Sequence, residues 1–170
     1  MIRLAHATSG GRGRTDLLLA GLVRRLGAGG GVVVGTVQEN TPRPDRRCDM
    51  DLRLLPDGPS FRISQDRGPG ARGCRLDGEA LESAAEWLMR RLDGAALVVI
   101  NKFGRQEAEG RGLSPVIAEA ITRGLPVLVG VNALNLEAWQ AFADGLSQEL
   151  PPEEEALIAW CRANLLSQAA

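Results

Sequence analysis

Two segments of this chain carry residues whose types and spacing could hold an anion. The first is Ala7-Thr8-Ser9-Gly10-Gly11-Arg12-Gly13-Arg14-Thr15, rich in glycine, arginine and hydroxyl side chains. A glycine-rich turn that opens a helix lets backbone N–H groups close on a phosphate or another tetrahedral oxyanion, with the positive end of the helix behind them. Set against the pattern GxxxxGK[ST], Gly13 and Thr15 keep the second glycine and the hydroxyl, while Thr8 replaces the first glycine and Arg14 the lysine. The broad guanidinium fork does not substitute for a compact ammonium reaching between phosphates. Asp16 suits a helix N-terminus but repels a bound anion. The plainer alternative is a glycine-rich strand-to-helix turn with solvated arginines.

The second segment runs Asn101-Lys102-Phe103-Gly104-Arg105-Gln106-Glu107-Ala108-Glu109-Gly110-Arg111-Gly112, after an apolar run ending at Ile100. Phosphate hydrolysis needs an acid at such a strand end to help hold a divalent cation, and a carboxylate to orient water. Asn101 and Lys102 supply neither, and the lysine favours an anion arriving without a metal. The expected anion site is therefore Ser9, Gly10, Gly11, Arg12, Gly13, Arg14, Thr15, Asn101 and Lys102. Arg14 and Lys102 are expected to converge on one anion, their strands lying side by side. For Lys102 the alternative is a solvated side chain, or one paired with Glu107 or Glu109.

Accessory candidates are Glu107, together with Cys48, Cys74, Arg72 and Arg75 in the middle of the chain. There Cys48 stands beside Asp49 and Asp51, and an anion or metal cluster competes with buried thiols packed as small apolar groups. No residue is assigned to a metal: the chain has 1 His and 3 Cys, and the cysteines lack knuckle spacing. His6 reads as a polar contact at a strand end.

The elements that must position these loops follow from the apolar pattern. Leu17, Leu18, Leu22 and Leu26 predict a helix over Arg14 to Leu26. Val32 to Val37, Ala95 to Ile100 and Pro126 to Val131 read as buried parallel strands. Met50 to Leu55 and Ser60 to Ser64, joined by Pro56-Asp57-Gly58-Pro59, predict a hairpin. Asp77 caps a helix over Gly78 to Leu92, Ser114-Pro115 opens another, Asn135 caps a third to about Asp144, and a last helix follows Pro151-Pro152-Glu153 through Leu166. Alternation of strand and helix predicts one α/β domain over 1–170. It is a three-layer fold with a mostly parallel sheet, helices on both faces and a small β-hairpin insertion, and the ligand sits beyond the carboxyl strand ends. The insertion, 38–77, is expected to cover the site.

Bulk properties agree. The 170 residues are 44% hydrophobic and 24% charged with a formal net charge of -1, which excludes a disordered chain and a broadly basic nucleic-acid binder. No run is long enough to cross a membrane, and the start does not read as a signal sequence, so a cytoplasmic place without membrane insertion is expected.

The two loops and the order of elements resemble the THEP-type P-loop nucleoside triphosphatases. That family usually carries a full GxxGxGKT loop and an Asp-Glu-Ile-Gly segment, with a glutamate three residues after the glycine. Here Asn101-Lys102-Phe103-Gly104 stands at the acid segment, and Glu107 keeps the later glutamate. Cys48-Asp49-Met50-Asp51-Leu52, Gly73-Cys74-Arg75-Leu76-Asp77 and the string from Asn101 to Gly112 are similar to a bacterial domain-of-unknown-function family related to those enzymes and often labelled as linked to molybdenum transport. The resemblance implies a degenerate P-loop binding molybdate, tungstate or nucleotide phosphates with little or no hydrolysis. It also implies a protein partner in molybdenum uptake or cofactor assembly. The alternatives are a slow Mg²⁺-dependent nucleoside triphosphatase, using Thr15 for the metal and Glu107 or Glu109 as a substitute acid, and an interaction module on a P-loop scaffold.

Overall fold

The structure is a computed structural model that describes residues 1–27, 31–45, 47–66 and 76–169. Its elements are β1 (Leu4–Ala7), α1 (Arg14–Leu26), β2 (Val33–Thr41), β3 (Asp49–Leu55), β4 (Ser60–Arg62), α2 (Gly78–Met89), β5 (Leu97–Phe103), α3 (Arg105–Ala108), α4 (Ser114–Thr122), β6 (Val127–Val131), α5 (Leu136–Ala143), β7 (Ser147–Glu149) and α6 (Glu154–Ala169). A 3₁₀ turn, Ala133–Asn135, precedes α5.

The strands form one seven-stranded sheet in the order β4-β3-β2-β5-β6-β1-β7. β2, β5, β6, β1 and β7 are parallel, and β3 and β4 add an antiparallel edge to β2. The alternation of side chains along each strand divides the core in two. Val98, Ile100, Val127, Val129 and Leu4 pack with α2, α4 and α5 on one face, while Leu97, Val99, Leu128, Ala5 and Ala7 pack with α1 and α6 on the other. Helices therefore cover both faces, as the alternation of apolar runs requires. Each large aliphatic side chain sequestered in this way contributes about 1.5–3 kcal/mol.

Local signals explain the helix positions. Asp77 accepts hydrogen bonds from the backbone N–H groups of Glu79 and Ala80 (3.0 and 3.1 Å), and Leu81, Ala84, Ala85 and Leu88 recur on the buried side of α2. α1 starts differently: Gly13 stands at its N-cap with φ 77° and supplies no side-chain cap. Its first N–H groups are left for another acceptor.

Four expectations need correction. β5 does not lie beside β1, because β6 runs between them. β5 continues through Asn101 and Lys102 to Phe103, past an irregularity after Ile100, because Phe103 buries its ring against Trp139 and Phe142. Asn135 stands at the N-cap of α5 without a side-chain bond, and Asn132 instead accepts from Leu134 N–H, at 2.9 Å, in the preceding turn. Within 38–77, β2 extends to Thr41 and the hairpin widens the sheet, with Leu52 and Leu54 in the core.

Candidate functional site

The carboxyl ends of β1, β5 and β6 open into one cavity of about 480 Å³. Ser9, Gly10, Gly11, Arg12, Gly13, Thr15 and Asp16 line it from the first loop, Asn101 and Lys102 from the end of β5, and Gly130 with Asn132, Ala133 and Leu134 from the end of β6. β6 separates the two loops in the sheet, yet both reach the same opening. Gly130 makes this possible: a Cβ there would lie 2.2 Å from the Asn101 carbonyl oxygen and 2.7 Å from Thr15 Cγ2.

Most expected residues meet here, and one does not. Arg14 is exposed and does not line the cavity; its stem folds over Gly11, whose added Cβ would fall 2.9 Å from Arg14 Cδ. Arg12 takes the place toward the cavity that the sequence pattern gave to Arg14. Among the described residues neither Arg12 nor Lys102 forms an ion pair. Elsewhere arginines meet carboxylates, as in Arg25 with Glu154 and Glu155, and Arg123 with Glu119 and Asp93. Two cations outside any ion pair among the described residues, three loop glycines and a helix N-terminus without a side-chain cap thus border one space.

Asp16 and Asn101 join the lining through a polar network. Asn101 Nδ2 donates to Asp16 Oδ1 (2.7 Å), and Asn40 Nδ2 donates to Asp16 Oδ2 (2.8 Å). Asn101 Oδ1 accepts from Gln38 N–H (3.1 Å), Asn101 N–H donates to Thr36 Oγ1 (3.0 Å), and Gln38 Nε2 donates to Asn40 Oδ1 (2.9 Å). Asn101 is 1% exposed, and one of its two amide N–H donors and its side-chain oxygen are engaged in this network, which fixes the orientation of its side chain at the cavity. Asp16, 8% exposed, brings a carboxylate to the end of β5, where the strand itself offers only Asn101 and Lys102. Ser9 Oγ and Thr15 Oγ1 touch at 2.5 Å beside it.

Glu107 is not at the site. It is 5% exposed and its oxygens accept from Gly104 N–H (3.0 Å) and Leu113 N–H (3.1 Å), bracing the turn around α3. Burial raises its carboxyl above the usual range despite these bonds and the nearby Lys102 charge. Glu109 is exposed and paired with Arg105 and Arg111, which lower its pKa. Cys48 is exposed and away from the cavity; Arg72, Cys74 and Arg75 lie outside the described residues. None of the described residues of 38–77 lines the cavity, but Gln38 and Asn40 reach its lining through Asn101 and Asp16. His6 donates or accepts at Ser147 Oγ (2.8 Å) and rests against Trp139. Burial lowers its pKa, with Glu149 opposing.

Sequence reasoning missed the β6 rim and the role of Asp16. Gly130, standing at the end of an apolar run, was the available signal for the rim. Asp16 carried no such signal, since its partner Asn101 is 85 residues away.

Comparison with known proteins agrees with this architecture. A human protein described as a cancer-related nucleoside triphosphatase superposes with a TM-score of 0.61 at 18% identity, covering 98% of this chain and 97% of that one, a likeness of fold. The molybdenum import ATP-binding protein ModC 2 of Bradyrhizobium diazoefficiens is 36% identical over 150 residues, which are 86% of this chain. The chain spans only 17% of the length of that relative. The profile of the family described as protein of unknown function DUF2478 matches residues 4–160, and this P-loop NTPase-like chain belongs to that family.

Proposed function

We propose that the protein binds a phosphate-type anion in this cavity, either the phosphates of a nucleotide, which it hydrolyses slowly or not at all, or a tetrahedral oxyanion such as molybdate. The observation that carries the reading is the pair Arg12 and Lys102, lining the cavity and in no ion pair among the described residues, beside a helix N-terminus without a side-chain cap. An NTPase-like fold and a relative named for ATP binding and molybdenum import support the same class of occupant. The cavity volume, within the range of about 300–1,000 Å³ typical of small-molecule sites, exceeds what a lone oxyanion fills and favours a nucleotide.

Weak hydrolysis follows from what the site lacks. Arg14 stands where the phosphate-bridging lysine belongs and leans away, and Glu107 is buried away from the cavity bracing the turn around α3, so among the described residues Asp16 is the one carboxylate that lines the cavity and no second one is set to orient water. A cytoplasmic place and a partner in molybdenum uptake or cofactor assembly belong to this proposal. They are supported by the relative's name and by the fact that no helix among the described residues is long and apolar enough to cross a membrane. The test is a thermal-shift screen of ATP, GTP, molybdate, tungstate, phosphate and sulfate, each with and without Mg²⁺. A native-state ligand raises the midpoint with concentration; no shift with any of them at millimolar concentration overturns the proposal.

A further inference from the structure

Asp16 is a buried carboxylate held only by neutral amides. Each of its oxygens accepts one bond, from Asn101 at 2.7 Å and from Asn40 at 2.8 Å, which leaves lone pairs on both. The two amides are themselves fixed, Asn101 by Gln38 N–H and Asn40 by Gln38 Nε2, so the carboxylate cannot turn without breaking the network. It lines the cavity next to the touching hydroxyls of Ser9 and Thr15. An anion entering beside Arg12 and Lys102 would meet this negative charge within the same wall.

A cation of the magnesium type takes hard oxygen ligands, keeps several waters, and is commonly held by one or two carboxylates together with substrate phosphates. Asp16, Thr15 and Ser9 offer such oxygens on one side of the cavity. Among the described residues no group of three His, Cys, Asp or Glu could hold a metal alone. The residues therefore fit a cation that arrives with a polyphosphate, not a resident one.

Resting on the anion-binding reading above, we infer that Asp16 replaces the missing strand-end acid as the carboxylate serving a divalent cation on a bound nucleoside polyphosphate, with Asn101 and Asn40 as its positioning residues. The carboxylate stands on α1 and its amide partner on β5, so the two side chains can be exchanged. In the double variant Asp16→Asn/Asn101→Asp, the carboxylate placed at 101 accepts from Gln38 N–H and from the new amide at 16, whose oxygen accepts from Asn40. Every hydrogen bond of the network is kept, and the charge moves by about the 2.7 Å between the two groups.

The experiment is calorimetric titration of the full chain with ATP, in Mg²⁺ and in EDTA, for the wild type, Asp16→Asn and the reciprocal double variant. The expected result is that Mg²⁺ strengthens wild-type binding by about tenfold or more, the scale on which metal-site shells act. Asp16→Asn loses that gain while its affinity in EDTA stays or rises, since a repelling charge is gone. The double variant regains the gain. A structural role alone would weaken binding in both conditions. In parallel, Mn²⁺ added to the wild-type complex should enhance nuclear relaxation more at the side-chain amides of Asn101 and Asn40 than at Asn132, a readout that needs no variant. Unchanged Mg²⁺ dependence in Asp16→Asn, ATP binding indifferent to Mg²⁺, or the reverse order of relaxation overturns the inference and leaves anion binding standing. Wild-type binding of molybdate but not ATP does the same, whereas binding of neither overturns both.

Discussion

Replacing Glu107 separates a brace from a catalytic acid. Its carboxylate is 5% exposed and satisfies two buried N–H groups, those of Gly104 and Leu113. Glu107→Gln keeps the shape but turns one acceptor into a donor facing a donor, so one backbone N–H is stranded at a cost of about 1–3 kcal/mol. Glu107→Ala strands both, for about 2–6 kcal/mol in all, a large part of the about 5–15 kcal/mol that holds a domain folded. The pH dependence has a definite sign. Burial raises the folded carboxyl above its ordinary 4.5, so the native state holds the proton longer than the unfolded chain. Stability then falls as pH rises from about 4.5 through the folded value and levels off above it. The Gln variant does not titrate, so its deficit relative to the wild type is largest near pH 4 and narrows toward pH 8. Urea unfolding followed by circular dichroism at several pH values measures both effects. A Glu107→Gln stability within about 0.5 kcal/mol of the wild type across that range, the size of an ordinary surface change, would refute the brace.

Three further outcomes are expected. Gly130→Ala sets a methyl 2.2 Å from the Asn101 carbonyl oxygen, so it should cost about 2–3 kcal/mol in thermal unfolding and also weaken anion binding by displacing the cavity wall. His6 gives the chain's one imidazole signal, and proton NMR titration should place its midpoint below the ordinary value near 6.5 because burial disfavours the charged ring; a midpoint above that value contradicts the buried environment. ATP turnover in Mg²⁺ should stay well below about 1 per second, the lower end for ordinary phosphoryl-transfer enzymes, and a rate at or above that would mean the site retains working catalytic groups.

The layers of the fold were legible because continuous apolar runs and 3.6-residue periodicity mark buried strands and amphipathic helices directly; α1 begins and ends where its leucines and glycines place it. β7, the polar triplet Ser147–Glu149, carries no such signal and exists because β1 offers it a free edge. That the first loop would line a ligand-sized opening was readable from its glycines and its place between a strand and a helix. Which arginine faces inward was not, since the positive φ of Gly11 and Gly13 sets the turn that sends Arg12 to the cavity and Arg14 away from it. Asn101 and Asp16 show the deeper limit. Each residue by itself argued against a metal-bearing phosphate, and only their pairing between α1 and β5 raises the cation-serving carboxylate proposed above.

The central claim is that Arg12 and Lys102 hold one anion, and calorimetry on Arg12→Ala, Lys102→Ala, Arg14→Ala and the Arg12/Lys102 double variant, with ATP and with molybdate as probes, tests it most directly. Loss of either cavity cation should weaken binding by about 1–3 kcal/mol, roughly 5- to 150-fold, with the double variant non-additive because both groups touch the same ligand. Arg14→Ala should stay within about twofold, a change of under 0.5 kcal/mol. Folded Arg12→Ala and Lys102→Ala proteins that bind both probes as tightly as the wild type would contradict the account.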